Sequence, residues 1–444
     1  MSRIVLIGAN HAGTAAANTI LDKYPKNELT IVDRNDNISY LGCGTALWIG
    51  RQIDGYEGLF YCSADQLKGK GARVLMETSA ERVDFAAGKV TIAGRNGIRE
   101  DIPYDKLILA TGSVPIMPAI PGNDLGGIQP VKLFQDGKRA NDLMNDPAVR
   151  SVAVIGAGYI GVELAEAVCR RGKNALLFEA ETTSLSSYYD DWFTHDMDGI
   201  LRDKGIQLHF GEKVREFKGS GKISAVLTDK GEYQAQMAIM AIGFRPNTVL
   251  ARDSLETIAN GAYKVNRRQE TNVSGVYAVG DCATVFSNAL KDSAYIALAT
   301  NAVRGGIIAA HNACGTVLES PGVQGSNGIS IFGYNMVSTG ISLKAAAKAG
   351  FDALAADWED LQKPAFIKDG NKKVKLRVVY DRNSRRLLGA QMASRYDISM
   401  GIHMFSLAIE EGVTIDKLKL LDIFFLPHFN QPYNYITMAA LTAK

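Results

Sequence analysis

Cys43 stands apart from the other four cysteines of this 444-residue chain, thirty residues after a glycine turn, Gly8-Ala9-Asn10-His11-Ala12-Gly13. A single thiolate can take one oxygen atom from a peroxide and become a sulfenic acid, a two-electron couple that needs no second sulfur. The next cysteine, Cys62, is nineteen residues on, so Cys43 works alone or with a sulfur from elsewhere in the fold. Thiolate chemistry at neutral pH requires a thiol pKa below the ordinary ~8.5. The segment Gly42-Cys43-Gly44-Thr45-Ala46-Leu47-Trp48 reads as the start of a helix, whose positive end is expected to stabilise the anion. On spacing alone Cys43 also reads as a small core residue.

The elements that must position this sulfur are two copies of one plan. The apolar run Ile4-Val5-Leu6-Ile7 leads into the first glycine turn, and Val152-Ala153-Val154-Ile155 leads into a second, Gly156-Ala157-Gly158-Tyr159-Ile160-Gly161. Each run reads as a buried parallel strand, and each turn opens a helix whose free N–H groups can bind a pyrophosphate. Each copy continues to a second strand ending in an acid, Asp33 and Glu179, placed to accept hydrogen bonds from ribose hydroxyls. Two such sites imply two dinucleotides, most simply a flavin and a nicotinamide. A carboxylate at Glu179 also repels a 2′-phosphate, so NADH is expected over NADPH.

Composition narrows the class. Forty-nine Lys and Arg against forty-seven Asp and Glu give a net charge of +2, no reason to expect a nucleic acid or an anionic membrane as partner. No run approaches the ~18 apolar residues of a membrane span, and the apolar stretch after Arg3 is too short for a signal peptide, so a cytoplasmic location is expected. The odd, widely spaced cysteines (Cys43, Cys62, Cys169, Cys282, Cys314) argue against a disulfide framework, and no metal-ligand spacing occurs.

The chain divides into an α/β arrangement of two doubly wound dinucleotide-binding domains and a C-terminal α+β domain. Residues 1–112 and 245–321 form the first, residues 113–244 are inserted as the second, and residues 322–444 form the third. Pro115, Pro118 and Pro121 mark the exit from the first domain. The aromatic stretch from Phe424 to Tyr435 would be costly to leave in water, which points to a dimer interface.

Together these residues resemble the two-dinucleotide flavoprotein disulfide reductases, over the whole chain. The motifs are the turn at Gly8, Ala110-Thr111-Gly112, the turn at Gly156 and Gly280-Asp281. Asn10-His11, Ser39-Tyr40-Leu41-Gly42-Cys43-Gly44 and Pro427-His428-Phe429-Asn430-Gln431-Pro432-Tyr433-Asn434 resemble the branch of NADH oxidases, NADH peroxidases and coenzyme A disulfide reductases. Leu41-Gly42-Cys43-Gly44-Thr45-Ala46 and Val323-Gln324-Gly325-Ser326-Asn327-Gly328 look most like the water-forming NADH oxidases. The first turn departs from the general fingerprint, with Asn10 in place of its middle glycine.

The resemblance implies FAD contacts at Gly8, Asn10, His11, Ala12, Gly13, Asp33, Cys43, Ala110, Gly112, Lys132, Tyr159, Asp281 and Ala299. It implies NADH contacts at Gly156, Gly158, Ile160, Gly161, Glu179, Tyr188 and Gly243, with Tyr189 as a second candidate ring for the adenine side. Tyr159 would cover the flavin and swing aside for nicotinamide. His11 would lie near Cys43, assist proton transfer and stay neutral at its helix start. The implied reaction is four-electron reduction of O2 to two waters by two NADH, through a flavin hydroperoxide and Cys43 sulfenic acid, in a homodimer. NADH peroxidase and coenzyme A disulfide reductase remain alternatives, as does a peroxide sensor with incidental turnover. His428 is open between packing and catalysis. Cys62, Cys169, Cys282, Cys314, His195, His209, His311 and His403 read as packing or surface residues.

Overall fold

Continuous apolar runs form buried parallel strands where both faces of a sheet are covered. In the computed structural model, which describes residues 1–444, Arg3–Ile7 pairs in parallel with Glu28–Val32 on one side and Lys106–Leu109 on the other. Arg73–Leu75 and Val276–Ala278 complete that five-stranded sheet at its two edges. Between Lys106–Leu109 and Val276–Ala278 the chain builds a second five-stranded sheet in the order Gln207–Phe210, Asn174–Glu179, Ser151–Ile155, Met237–Met240, Ile128–Pro130. The two crossings between the sheets run side by side, with Ser113–Pro115 antiparallel to Phe244–Pro246.

Each parallel sheet carries helices on one face and a three-stranded antiparallel sheet on the other. Ile4, Leu6, Ile31 and Ile108 face the helices His11–Lys23 and Ala299–Ala313. These two helices approach closely because residue 306 is glycine; a Cβ there would stand 2.2 Å from the carbonyl oxygen of Ala12. On the opposite face Val5, Ile7 and Leu107 meet Val90, Ile92 and Ile102. In the second sheet, Ala153, Ile155 and Leu176 meet Phe217, Ile223 and Val226.

The C-terminal sheet is antiparallel, ordered Asn327–Ile331, Tyr334–Gly340, Leu387–Ser394, Lys373–Asp381, Ala353–Leu361. Helices Ser399–Glu410 and Tyr435–Leu441 cover one of its faces through Phe405, Ile409, Ala439 and Ala440. Phe424, Phe425, Phe429 and Tyr433 are exposed. No helix is long and apolar enough to cross a membrane.

One element joins all three parts. Helix Tyr159–Arg170 lies between the short helix Thr45–Ile49, which follows Cys43, and the strand Asn327–Ile331. Ala46 and Ile49, Val162 and Leu164, and Ile329 and Ile331 belong to one apolar core. A fully buried isoleucine contributes about 1.5–3 kcal/mol of transfer free energy, so this contact fixes the cysteine helix firmly. Gly50 permits the close approach, since a Cβ there would meet Ala167 Cα at 3.1 Å. Arg171 closes the joint by donating to the carbonyls of Ile49 (2.9 Å) and Met144 (3.1 Å).

Candidate functional site

Both glycine turns are shaped by backbone crowding. Gly8 has φ +99°, and a Cβ on it would lie 2.2 Å from the Ala110 carbonyl oxygen. Gly156 has φ +100°, with Ala241 O at 2.5 Å from the same hypothetical atom. The last glycine of each turn is as constrained, because a Cβ on Gly13 would fall 1.9 Å from Gly8 O, and one on Gly161 would fall 1.8 Å from Gly156 O. The acids at the second strand ends hold these turns in matching ways. Asp33 accepts from the Ala9 N–H at 2.7 Å, and Glu179 accepts from the Ala157 N–H at 2.7 Å. Burial pushes the Asp33 carboxyl up, and hydrogen bonds from Asn35 and Ala9 oppose this.

The helices His11–Lys23 and Tyr159–Arg170 both begin without a side-chain cap and without an acid in the first turn. Their N–H groups are left for an outside acceptor. This donor set, beside glycines that admit only backbone, fits a dinucleotide pyrophosphate at each turn. Ala12 is buried at the first turn, Asn10 is exposed, and Ala299 opens the neighbouring helix. Gly112 (φ +69°) and Gly243 (φ +107°) bend the chain just beyond the strands that flank the two turns.

Cys43 sits in a 3-10 turn, Gly42–Gly44, ahead of the helix Thr45–Ile49. Its loop is stitched to the chain at 59–62. Leu41 N–H donates to Leu59 O (2.7 Å), and Ser39 Oγ accepts from the Tyr61 and Cys62 N–H groups at 3.2 and 2.9 Å. The Ser39 N–H donates to Ala9 O at 3.0 Å, which ties the cysteine loop to the first glycine turn. The same 59–62 segment places the Tyr61 hydroxyl 2.8 Å from His11 Nδ1, with the two rings stacked 1° from parallel. In the sequence, the one signal for Tyr61 is its place beside Cys62.

The surrounding charges locate the site's centre. Lys132 Nζ lies 3.1 Å from Asp281 Oδ2 and donates to Ser113 Oγ at 2.8 Å, and Ser113 Oγ donates to Asp281 at 2.8 Å. His11 and Cys43 both feel this pair. Burial lowers the His11 pKa, with Asp281 opposing and Lys132 adding to the fall. Burial raises the Cys43 thiol, Glu163 raises it further, and Lys132 opposes both. The sulfur's residue is exposed, yet enough protein surrounds it to disfavour the anion.

This corrects the expectation that the local helix start would draw the thiol pKa down. The helix Thr45–Ile49 has five residues, too short to supply a full terminal dipole, and the larger acidic influence, Glu163, arrives from another part of the chain. Glu163 lies one turn after Tyr159 on the same helix face, and its carboxyl is pushed up to about 7 by burial, with Glu166 adding. Its i+4 spacing from Tyr159 is the one signal for Glu163 in the sequence.

Tyr159 is hemmed by Tyr188, with ring centroids 4.4 Å apart, and its hydroxyl lies 3.0 Å from that of Tyr189. Of the two adjacent candidate rings, Tyr189 is buried and Tyr188 is exposed, and Tyr188 stands over Gly158. Ile160, beside Tyr159, is half-buried. The remaining cysteines and histidines lie elsewhere. Cys282 is buried with its thiol facing Leu109 O and Val279 O, His209 stacks on Phe178, and His311 meets the Tyr24 hydroxyl at 2.6 Å. His428 is exposed on the C-terminal aromatic stretch. All five cysteines are free, and no cluster of metal-ligating side chains is present.

A family model described as pyridine nucleotide-disulphide oxidoreductase matches residues 2–306, and the dimerisation domain of the same family matches residues 328–434. An NADH oxidase from Streptococcus pyogenes serotype M6 is 55% identical over 458 residues, covering 100% of both chains. An NADH oxidase from Lactococcus lactis subsp. cremoris is 55% identical over 445 residues, again covering 100% of both. Among solved structures, the water-forming NADH oxidase from Lactobacillus brevis bound to NADH superposes with a TM-score of 0.96 at 35% identity, covering 99% of this chain and 98% of that one. With two uncapped glycine turns on parallel sheets, a cysteine loop tied to the first, and this agreement along its whole length, the chain belongs to the pyridine nucleotide-disulphide oxidoreductase family.

Proposed function

We propose that this protein is an FAD-dependent NADH oxidase that reduces O2 to two waters at the expense of two NADH. The observation that carries this reading is a free Cys43 whose loop is tied to the first glycine turn and to the 59–62 segment that meets His11, with the charges of Lys132 and Asp281 acting on both residues. Residues 1–112 and 245–321 hold FAD through Gly8, Asn10, Ala12, Gly13, Asp33, Ala110, Gly112, Lys132, Asp281 and Ala299. Residues 113–244 hold NADH through Gly156, Gly158, Ile160, Gly161, Glu179, Tyr188 and Gly243. Bound FAD supplies the two-electron transfers from NADH to oxygen and to oxidised sulfur. Residues 322–444 carry the exposed Phe424, Phe429 and Tyr433 into a homodimer interface.

The protein's own chemistry is at Cys43 and His11. The sulfur attacks hydrogen peroxide, an S–O bond forms as the O–O bond breaks, and the thiol proton ends on the departing oxygen as water. Sulfur is oxidised by two electrons while peroxide is reduced by two. The Tyr61 phenol is pushed up to about 12 by burial and keeps its proton, and His11 is neutral because burial lowers its pKa. In the tautomer whose Nδ1 accepts from the phenol, the other ring nitrogen carries a hydrogen that can steady the departing oxygen. Cys43 is held as a thiol until a charge or proton acceptor draws the proton away, with Lys132 the favourable neighbour and Glu163 the opposing one.

The test is stoichiometric. O2 consumed and H2O2 formed are measured per NADH; half an O2 and no peroxide is the expected outcome, and a steady one-to-one release of peroxide would defeat the reading. A turnover supported by peroxide but not by O2 would make the protein an NADH peroxidase instead.

Glu179 supplies the coenzyme preference. Glu181 N–H and Ala157 N–H occupy one lone pair on each oxygen, at 3.1 and 2.7 Å, and the remaining lone pairs are free for ribose hydroxyls. Glu179→Ala is expected to lower kcat/KM for NADH and raise it for NADPH, changing the ratio about 100-fold. An unchanged ratio in parallel kinetics with the two coenzymes would remove Glu179 from this role.

A further inference from the structure

Asn327 opens the first strand of the C-terminal sheet, within the stretch Val323-Gln324-Gly325-Ser326-Asn327-Gly328, and the reaction scheme above leaves it without a part. Its side-chain oxygen accepts from the Tyr159 hydroxyl and from Ser338 Oγ at 3.1 Å. Its orientation is set by the other end of the amide, since Nδ2 donates to Gly325 O at 2.7 Å. A carbonyl can only accept, so the amide oxygen must face Tyr159, and the phenol is the donor in that contact.

The surroundings leave the amide little freedom. Gly325 turns the chain at φ +72°, Ser326 Oγ bonds Thr339 Oγ1 at 2.8 Å, and Asn327 pairs with Ser338 across the strands. The helix that carries Tyr159 is pinned to the same sheet further along. Glu166 accepts from the Phe332 N–H at 2.9 Å and from Arg170 at 2.8 Å. With both backbones fixed, the Tyr159 ring can leave its position only by rotating its own side chain and breaking the hydroxyl contacts.

We propose that Asn327 is a positioning residue that latches Tyr159 in its observed place, so that nicotinamide must break this contact to reach the flavin. The C-terminal domain thereby sets how readily the coenzyme engages the site. The proposal rests on the reading of Tyr159 as the ring in front of the flavin. A latch makes the binding-competent arrangement a minority and weakens the apparent affinity by that fraction. One hydrogen bond of ordinary net strength corresponds to a change of about three- to tenfold.

The test is calorimetric titration of the FAD-loaded protein with NAD+, and with ADP-ribose, which lacks nicotinamide and has no need to move the ring. Asn327→Ala and Tyr159→Phe are each expected to tighten NAD+ about three- to tenfold and leave ADP-ribose unchanged, and the double variant should gain no more than Tyr159→Phe alone, which already removes the contacts to both Asn327 and Tyr189. Tyr159→Phe removes a single oxygen atom and carries the test should Asn327→Ala fail to fold. Tyr159→Ala separates the two ideas. If it tightens NAD+ while the Phe and Asn327 variants do not, the ring guards the site and the latch is wrong. If it has no effect either, the guarding role itself is wrong. Weaker NAD+ binding in Asn327→Ala, equal tightening of ADP-ribose, or additive gains in the double variant would also overturn the latch.

Discussion

Cys43→Ser is expected to keep oxidising NADH while releasing about one H2O2 per NADH, because peroxide formation needs only the bound cofactor and peroxide reduction needs the sulfur. A serine oxygen cannot accept a second oxygen atom, so the second half of the cycle stops. Oxygen uptake per NADH doubles, from one half to one, and a peroxidase-coupled dye reads the released product directly. The fold should tolerate the change, since Cys43 is exposed in a 3-10 turn and its sulfur fills no core space. Surface substitutions of this kind shift stability by about 0.5 kcal/mol or less. A serine variant that still made only water would show that Cys43 is not the peroxide reductant.

Gly161→Ala is expected to cost about 10²-fold in NADH-dependent turnover while the protein keeps its FAD. The new methyl group would stand 1.8 Å from Gly156 O, and Gly156 cannot retreat because it is itself wedged at φ +100° against the Ala241 carbonyl. The turn must therefore open by more than an ångström, and a misplacement of that size is worth about two orders of magnitude in rate. The first glycine turn, proposed to hold FAD, lies on a separate sheet and should be untouched, so the visible flavin spectrum is the internal control. Gly13→Ala is the mirror experiment, with its methyl 1.9 Å from Gly8 O, and should lose flavin first. Flavin loss from the Gly161 variant and retention in the Gly13 variant would exchange the assignments of the two turns.

What could be read from the sequence was local backbone chemistry. A buried strand, a turn that requires positive φ, a helix and a strand-end acid follow one another within about thirty residues, and each step constrains the next. Cys43 was legible for the same reason, through the residues on either side of it. Its electrostatic setting was not. The helix start is written beside the cysteine, but Glu163, Lys132 and Asp281 come from distant parts of the chain, and burial is the largest influence raising the thiol. Tyr61 was hidden likewise, because its partner His11 is fifty residues away and only the pairing of the 39–43 and 59–62 segments brings them together. Asn327 sat in a stretch noted for its resemblance, yet nothing in its neighbours points to Tyr159.

The apolar core that runs from Ile49 through Val162 to Ile329 ignores the borders between the chain's successive parts. Heat should therefore take the second parallel sheet with its helices and the C-terminal sheet apart together, since separation would expose one apolar face of each. Swapping in residues 113–244 from a distant homologue would change the cover over Ile329 and Ile331. The grafted surface would have to be rebuilt before any change of coenzyme could be judged.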